Sequence, residues 1–422
     1  MVHERETAKQ IGGERSITVI GAGIVGVCCA LHLQREGFNV RLIERGETGK
    51  GASFGNAGNF GIASCVPFAM PGILKKLPRM LLDADSPLKL RWSHVPRALP
   101  WFASALAASR NVEHIAAARN SLLSRLREGY RPLLQGAGAG KWVSDSGLLL
   151  TWESEAAWQG AAYAMELRRR HGIEMEVLDG DEARRREPAL AASVHKAVWI
   201  PAVSHALSPL GLTETLVEDF VKRGGDFVRA EVRGFELGPA GPTRVLTGDA
   251  PLEIERVVIA AGVWARKLAA QLGTFVPLEA ERGYHVMFAN PGVALRHPIL
   301  SADHSFAVTP MADGIRASGI AEFATPDAPA NMANARLVER LARRLVPGLK
   351  GPISSEWMGP RPSHPDSKPV IGRSPRHANV FFAFGHDHIG LALAGITGQL
   401  ISELAAGKPT SVDLAPFRAD RF

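Results

Sequence analysis

Apolar residues along this chain follow two patterns. Short, largely apolar runs, such as 17–20 and 38–43, alternate with longer apolar or apolar-striped stretches, such as 24–34. The first pattern predicts a buried strand and the second a helix. Run, helix and run in quick succession make a βαβ unit. The succession returns at 254–260, where Val257, Val258 and Ile259 precede a turn at Ala261-Gly262 and a helix through Leu268 and Leu272. It returns again at 380–384, ahead of a long helix of small apolar residues over 385–404. Between these units, 112–134 reads as one helix with a stripe through Ile115, Leu122, Leu123 and Leu126, and 156–170 as another. Ser208-Pro209 opens a helix that Gly224-Gly225 closes, and 331–346 is a helix stopped by Pro347-Gly348. Strands are expected at 198–200, 226–237 and 243–247, and residues 276–320 look largely β.

Two α/β halves therefore flank a β-rich middle. The fold class predicted is α/β: a Rossmann-like nucleotide domain assembled from 15–65, 181–275 and 356–422. An α+β substrate domain on a mixed sheet, made of 66–180 and 276–355, is inserted into it.

The first βαβ unit carries Gly21-Ala22-Gly23-Ile24-Val25-Gly26 between strand and helix. Gly21 allows the tight turn, Gly23 lets a pyrophosphate approach the backbone, and Gly26 lets the helix pack closely on the strands. The helix start then presents its N–H groups to phosphate. Glu44, at the end of the second strand, stands where a carboxylate accepts from a ribose hydroxyl, and an acid there disfavours a 2′-phosphate. The expected cofactor is thus NAD or FAD rather than NADP. The glycine-rich stretch 49–63 has no period, and its length suggests that it wraps a ligand.

Composition changes this picture little. The 422 residues are 46% hydrophobic and 22% charged, as in a water-soluble globular protein, and the length favours two domains. The net charge of +7 is dispersed: arginines 168–170 and 184–186 alternate with Glu166, Glu174, Glu182 and Glu187. That reads as solvated helix faces and excludes a nucleic-acid partner. Cys28, Cys29 and Cys65 have neither metal nor disulfide spacing. The polar first ten residues are not a signal peptide and no transmembrane run appears, so the expectation is a cytoplasmic protein.

Taken together, 21–44, 255–273 and 359–407 resemble the FAD-dependent amino-acid oxidase and dehydrogenase superfamily, which also holds glycine and sarcosine oxidases. Ala52-Ser53-Phe54-Gly55-Asn56-Ala57-Gly58, Pro67, Pro71-Gly72-Ile73 and Ser86-Pro87-Leu88 are most similar to the bacterial D-amino-acid dehydrogenase small-subunit branch. The resemblance implies FAD as cofactor. Glu44 and Arg45 would lie at the adenosine ribose, the Val232 backbone at the adenine, and Ala261 and Gly262 at the crevice. Ala52, Ser53, Asn56, Ala57 and Gly58 would run beside the pyrophosphate and isoalloxazine. No cysteine follows Cys65 and 49–61 holds no histidine, so the flavin is expected to be non-covalent.

Arg361, in Gly359-Pro360-Arg361-Pro362, matches the superfamily arginine that pairs with a substrate carboxylate. A planar guanidinium suits a carboxylate fork, and flanking prolines aim it. Tyr284 stands where relatives place a hydroxyl near the same carboxylate, and of Tyr284 and His285 only one should face the substrate. The turn Gly385-His386-Asp387-His388 precedes the last helix, whose amides at Ile389, Gly390 and Leu391 would face the flavin pyrimidine edge. His386 or His388 would line the substrate face, and no third ligand pattern supports a metal.

The implied activity is oxidative deamination of a D-amino acid, or a D-configured cyclic imino acid such as proline or hydroxyproline. Hydride passes to flavin N5, the imine hydrolyses to the 2-oxo acid, and electrons pass to a quinone or another electron-transfer partner. A glycine or sarcosine oxidase using oxygen, and a subunit of an opine or hydroxyproline dehydrogenase complex, stay open as alternatives. So does an NAD-dependent reductase, which would be colourless. Lys75, Lys76, Arg79, Lys89, Arg91 and Arg97 among the proline-broken apolar pieces of 74–106 admit peripheral contact with an anionic inner membrane. Packing over the substrate domain is the blander expectation for that stretch.

Overall fold

A computed structural model describes residues 15–72, 80 and 83–422. Ile73, Lys75, Lys76 and Arg79 therefore lie outside the described residues.

The chain builds two principal sheets. In the smaller, of six strands, the order is Asp226–Arg229, Asn39–Glu44, Ser16–Ile20, Val257–Ile259, Val380–Phe384 and Val370–Arg373. The first five are parallel, and the last pairs antiparallel at the edge. Ser16–Ile20, Val257–Ile259 and Val380–Phe384 are buried throughout, as parallel strands covered on both faces must be, which explains why they are largely apolar. The helices Ile24–Arg35, Leu126–Ala137, Pro209–Lys222 and Gly390–Ala405 cover one face. Gly398 sits so close to the fingerprint helix that an added Cβ would meet the Cys28 carbonyl oxygen at 2.5 Å.

The larger sheet has nine strands and is mixed. Its long central members are Glu279–Phe288 and Gly314–Phe323, paired antiparallel, with Ser355–Ser363 on the outer side of the former. Helix Ala333–Leu345 packs over it through Leu337, Val338, Leu341 and Leu345.

Several expected boundaries differ. Lys196–Ile200, placed by sequence in the nucleotide domain, pairs with Leu148–Trp152 in the large sheet. Ser355–Ser363, which carries Arg361, also belongs to the large sheet, although 356–422 was assigned to the nucleotide domain. Conversely, Leu122, Leu123, Tyr130 and Leu133 join the core of the nucleotide domain, although 66–180 was assigned to the substrate domain. The expectation follows linear segments, whereas the chain crosses between the sheets more often. The helix expected over 112–134 is two, Val112–Leu123 and Leu126–Ala137. Ser121 and Ser124 donate their hydroxyls to the carbonyls three residues earlier, at 2.8 and 3.4 Å, which competes with the helical ladder at the break. The helix expected at 156–170 likewise divides into Glu155–Gly160 and Ala162–Arg170.

Candidate active site

The carboxyl ends of the parallel strands open onto a crevice, the usual place for a ligand in such a sheet. Ser16–Ile20 leads into Gly21 at φ 104°, where a Cβ would meet the Ala260 carbonyl oxygen at 2.6 Å. A Cβ on Gly26 would stand 1.8 Å from the Gly21 carbonyl oxygen. Turn and helix are thus pressed onto each other with no room for side chains, leaving a backbone cradle at the helix start. Gly23, the N-cap, has no side chain to cap the helix. Ser53 does so from the 52–58 loop, its Oγ accepting from Ile24 N–H at 3.0 Å. Glu44 bridges the turn: Oε2 accepts from Ala22 N–H at 2.7 Å and Oε1 from Gly46 N–H at 3.0 Å. Its carboxylate is fixed at the end of its strand, with acceptor capacity left for ribose hydroxyls. Arg45 stacks on Trp264, guanidinium carbon 3.8 Å from the ring centroid, and both line the crevice with Val232, Ala261 and Gly262. Glycine cradle, carboxylate and flat wall fit a dinucleotide.

The crevice continues without interruption into the large sheet, as one cavity of about 1920 Å³. Ala52, Ser53, Asn56 and Ala57 wall it on one side, and Gly385, His386, Ile389, Gly390 and Leu391 on another. Gly58, at φ 83°, shapes the loop: its N–H donates to Asn56 Oδ1 at 2.8 Å, and a Cβ there would meet the Ala206 carbonyl. Arg316 reaches across from the large sheet to hold this loop. Its Nη1 donates to the Phe54 and Asn56 carbonyls at 2.8 Å each, and burial lowers its pKa to about 10. Trp357 lies flat on His285, with centroids 5.2 Å apart, and covers Gly55, where a Cβ would fall inside its ring.

Arg361 lines the cavity over Gly283, whose missing side chain leaves room for the guanidinium. Its Nη1 donates to Glu281 Oε1 at 3.1 Å and to the Ile320 carbonyl at 2.8 Å. Nη2 faces the Gly319 carbonyl at 3.5 Å, too long for a good hydrogen bond. Glu281 is fully buried, and although burial opposes its ionisation, His388, Arg361 and Ser363 outweigh it and lower its pKa. Asp387, at φ 56°, accepts from Ser363 Oγ at 2.6 Å and stands 3.9 Å from the buried Arg119. Glu281, Asp387 and His388 bring ligand atoms within 4.8 Å of one another. Because Arg361 already shares Glu281 Oε1, we read this group as an ion network balanced by a fixed cation.

The other sequence candidates are placed differently. Tyr284 does not line the cavity. It is buried in the core of the substrate domain, where it donates to Glu322 and accepts from Arg282 Nη2 at 3.3 Å. Its neighbour His285 faces Trp357 and does not line the cavity either. A register shift between Arg282 and Tyr284 interrupts simple alternation, so the rule that one of the pair meets substrate does not hold. His386 lines the cavity, yet its Nε2 is engaged with Thr397 Oγ1 at 3.0 Å, and burial lowers its pKa to about 3. It is a neutral brace for the turn. Ile389 donates its N–H to the His386 carbonyl at 3.0 Å, leaving Gly390 and Leu391 as the amides at the start of the last helix. Sequence reasoning passed over Glu281, Asp387, Arg119 and Arg316 as site residues. Of these, Asp387 lies inside the turn that the sequence singles out, and Glu281 stands two positions from Gly283 on the same strand.

Comparison with known proteins accounts for this architecture. A D-amino-acid oxidase of Bradyrhizobium diazoefficiens is 34% identical over 97% of this chain and 99% of its own. A D-amino acid dehydrogenase of Rhizobium rhizogenes is 26% identical over 96% and 99%. The solved structure of glycine oxidase from Geobacillus kaustophilus superposes with a TM-score of 0.76 at 23% identity, over 96% of this chain and 98% of that one, and shares the fold. The family model described as FAD dependent oxidoreductase matches residues 16–404, and the chain belongs to that family of FAD-binding enzymes.

Proposed function

We propose that this enzyme oxidises the CH–NH2 or CH–NH group of an amino acid to the imine. Its substrates in this reading are D-amino acids, or D-configured cyclic imino acids such as proline and hydroxyproline, and a quinone or dye-type acceptor takes the electrons. The observation that carries the reading is the single cavity that runs from the glycine cradle to Arg361. FAD, when bound, supplies the two-electron acceptor for the substrate α-C–H, and the chain supplies position. Glu281 and the Ile320 carbonyl hold the guanidinium still, so Arg361 can take a carboxylate without first being ordered. Neutral His386 keeps the turn before the last helix in place without adding charge. The product imine hydrolyses in water, to a 2-oxo acid and ammonia from a primary amine or by ring opening to an amino-2-oxo acid from a cyclic one, a step that asks nothing of the protein.

The D-configuration is supported by the 34% identical D-amino-acid oxidase and by the likeness of the 52–58 loop to the dehydrogenase branch. A membrane-facing acceptor is supported by Trp92 and Leu99, which are 73% and 57% exposed beside the exposed Arg97. Two cations counted toward that surface are spent internally: Lys89 donates to the Ala84 carbonyl at 2.9 Å, and Arg91 pairs with Glu322 at 3.3 Å. The test is anaerobic bleaching of the bound flavin by a panel of D- and L-amino acids, glycine, sarcosine and hydroxyprolines. Dye reduction, peroxide formation and flotation with anionic vesicles are measured alongside. Bleaching by L-forms alone, or by none of the panel, overturns the reading. Brisk peroxide from glycine or sarcosine transfers the protein to the oxidase alternative.

A further inference from the structure

Arg361 shares its carboxylate partner with a second cavity residue. Glu281 Oε1 lies 3.1 Å from Arg361 Nη1 and 3.2 Å from His388 Nε2, so one buried oxygen pins both side chains. Asp387 Oδ1 stands 3.6 Å from the same His388 nitrogen. The carboxylates are behind and the cations in front: Glu281 and Asp387 are 1% and 2% exposed, whereas His388 is 42% and Arg361 21% exposed, both facing the cavity. The charged groups packed on His388 come from several elements. They are Glu281 from one strand of the large sheet, Arg361 from its neighbour, Asp387 from the turn, and behind Asp387 the buried Arg119.

We propose that His388, as the imidazolium, is the second donor of a two-part carboxylate clamp with Arg361, and that Glu281 aligns the two. This rests on the reading that the substrate carries a carboxylate. Arg361 Nη1 is already committed twice, so the arginine alone offers an incomplete fork. His388 turns Nε2 to the carboxylates, which leaves Nδ1 as the nitrogen for the cavity. With both nitrogens protonated, Nδ1–H donates to a ligand oxygen. When a proton is lost, Nε2–H stays with Glu281, and Nδ1 becomes a lone pair that repels a carboxylate. Burial works against the charged ring, but Glu281 and Asp387 outweigh it and raise its pKa, so the charged form persists to higher pH than for a free histidine. Carboxylate affinity is therefore full below the raised pKa and falls as pH rises through it.

The test uses the FAD-loaded enzyme and two probes that cannot be oxidised, benzoate and its neutral analogue benzamide, titrated by the flavin difference spectrum from pH 6 to 10. Neither probe has an amine, so no substrate ammonium enters the titration. The expected result is a benzoate Kd that rises about tenfold per pH unit above one pKa, while benzamide is flat. In His388→Gln the benzoate Kd is raised at low pH and loses this dependence. In His388→Arg, tight binding continues to high pH. Flat benzoate binding in the native enzyme, or a dependence that survives in both variants, overturns the clamp. Tighter benzoate binding at high pH also overturns it, and would make neutral Nδ1 a proton acceptor instead. If amino acids bleach the flavin while benzoate binding is flat, the clamp alone fails. If neither amino acids nor benzoate perturb the flavin, the proposed function fails with it.

Discussion

The close approach at Gly26 sets the most demanding test of the cofactor site. In Gly26→Ala the new methyl would begin 1.8 Å from the Gly21 carbonyl oxygen, and it must recede by at least about 1.2 Å to reach the shortest contact that real Cβ atoms show. The obstacle is backbone, and Gly21 is itself held against Ala260, so no side chain can rotate away. The fingerprint helix must lift off the strand instead. Overpacking of this kind costs about 1–3 kcal/mol, which a chain of this size survives. The shift also carries the amides of the helix start away from their place in the cradle. Loss of one charge-assisted hydrogen bond there, about 1.5–3 kcal/mol, predicts FAD affinity weaker by roughly 10- to 150-fold. Reconstitution of apoprotein, followed by flavin fluorescence anisotropy, measures the affinity, with circular dichroism as the check on folding. Gly138→Ala is the control: Gly138 is at φ 64° with nothing within 4 Å, so an alanine there strains only the chain end of one helix and leaves FAD binding unchanged. A folded Gly26→Ala protein that binds FAD within twofold of the native protein refutes the reasoning.

Arg361→Ala is expected to raise substrate KM by the equivalent of about 2–5 kcal/mol while FAD stays bound, and Arg361→Lys to be poor as well, since a point charge loses the fork; an unchanged KM with lowered Tm would make Arg361 structural. Arg316→Leu leaves the Phe54 and Asn56 carbonyls without their donor, so Tm should fall and FAD dissociation quicken together, by about 2–4 kcal/mol in all; an unaltered FAD off-rate would separate the loop from cofactor retention. Acid precipitation should release all the yellow colour into the supernatant, and flavin left on the pellet would disprove non-covalent attachment.

The nucleotide half of this fold was legible because its signals are local. Gly21, Gly23, Gly26 and Glu44 lie within one βαβ unit: Gly21 and Gly26 stand where the backbone leaves no room for a side chain, Gly23 opens the helix beside Ser53, and Glu44 is a fixed carboxylate. The substrate half was harder to read. All ten residues of Glu279–Phe288 are buried, so polarity does not alternate along the strand and its two faces cannot be told apart by pattern. Tyr284 was expected in the cavity on the resemblance alone, and the pattern of the strand offered nothing to correct that or to point to Glu281. Charged residues such as Glu281, Arg282 and Arg316 are inside because they pair with partners far along the chain, which no window of sequence displays. Sheet membership departs from the linear segments for a related reason: segments of similar pattern join different sheets according to long-range pairing.

The order of the six-stranded sheet has a consequence for how the enzyme comes into being. Ser16–Ile20 has Asn39–Glu44 on one side, made soon after it, but its other neighbour, Val257–Ile259, is itself flanked by Val380–Phe384. The helix that opens the cradle packs against Gly390–Ala405. During synthesis the first strand and its helix therefore stay without these partners until Val380–Phe384 and Gly390–Ala405 have left the ribosome. Cofactor loading is expected to follow their emergence. Ribosome-stalled chains whose emerged part ends before Val380 should hold no flavin, and those whose emerged part extends beyond Ala405 should.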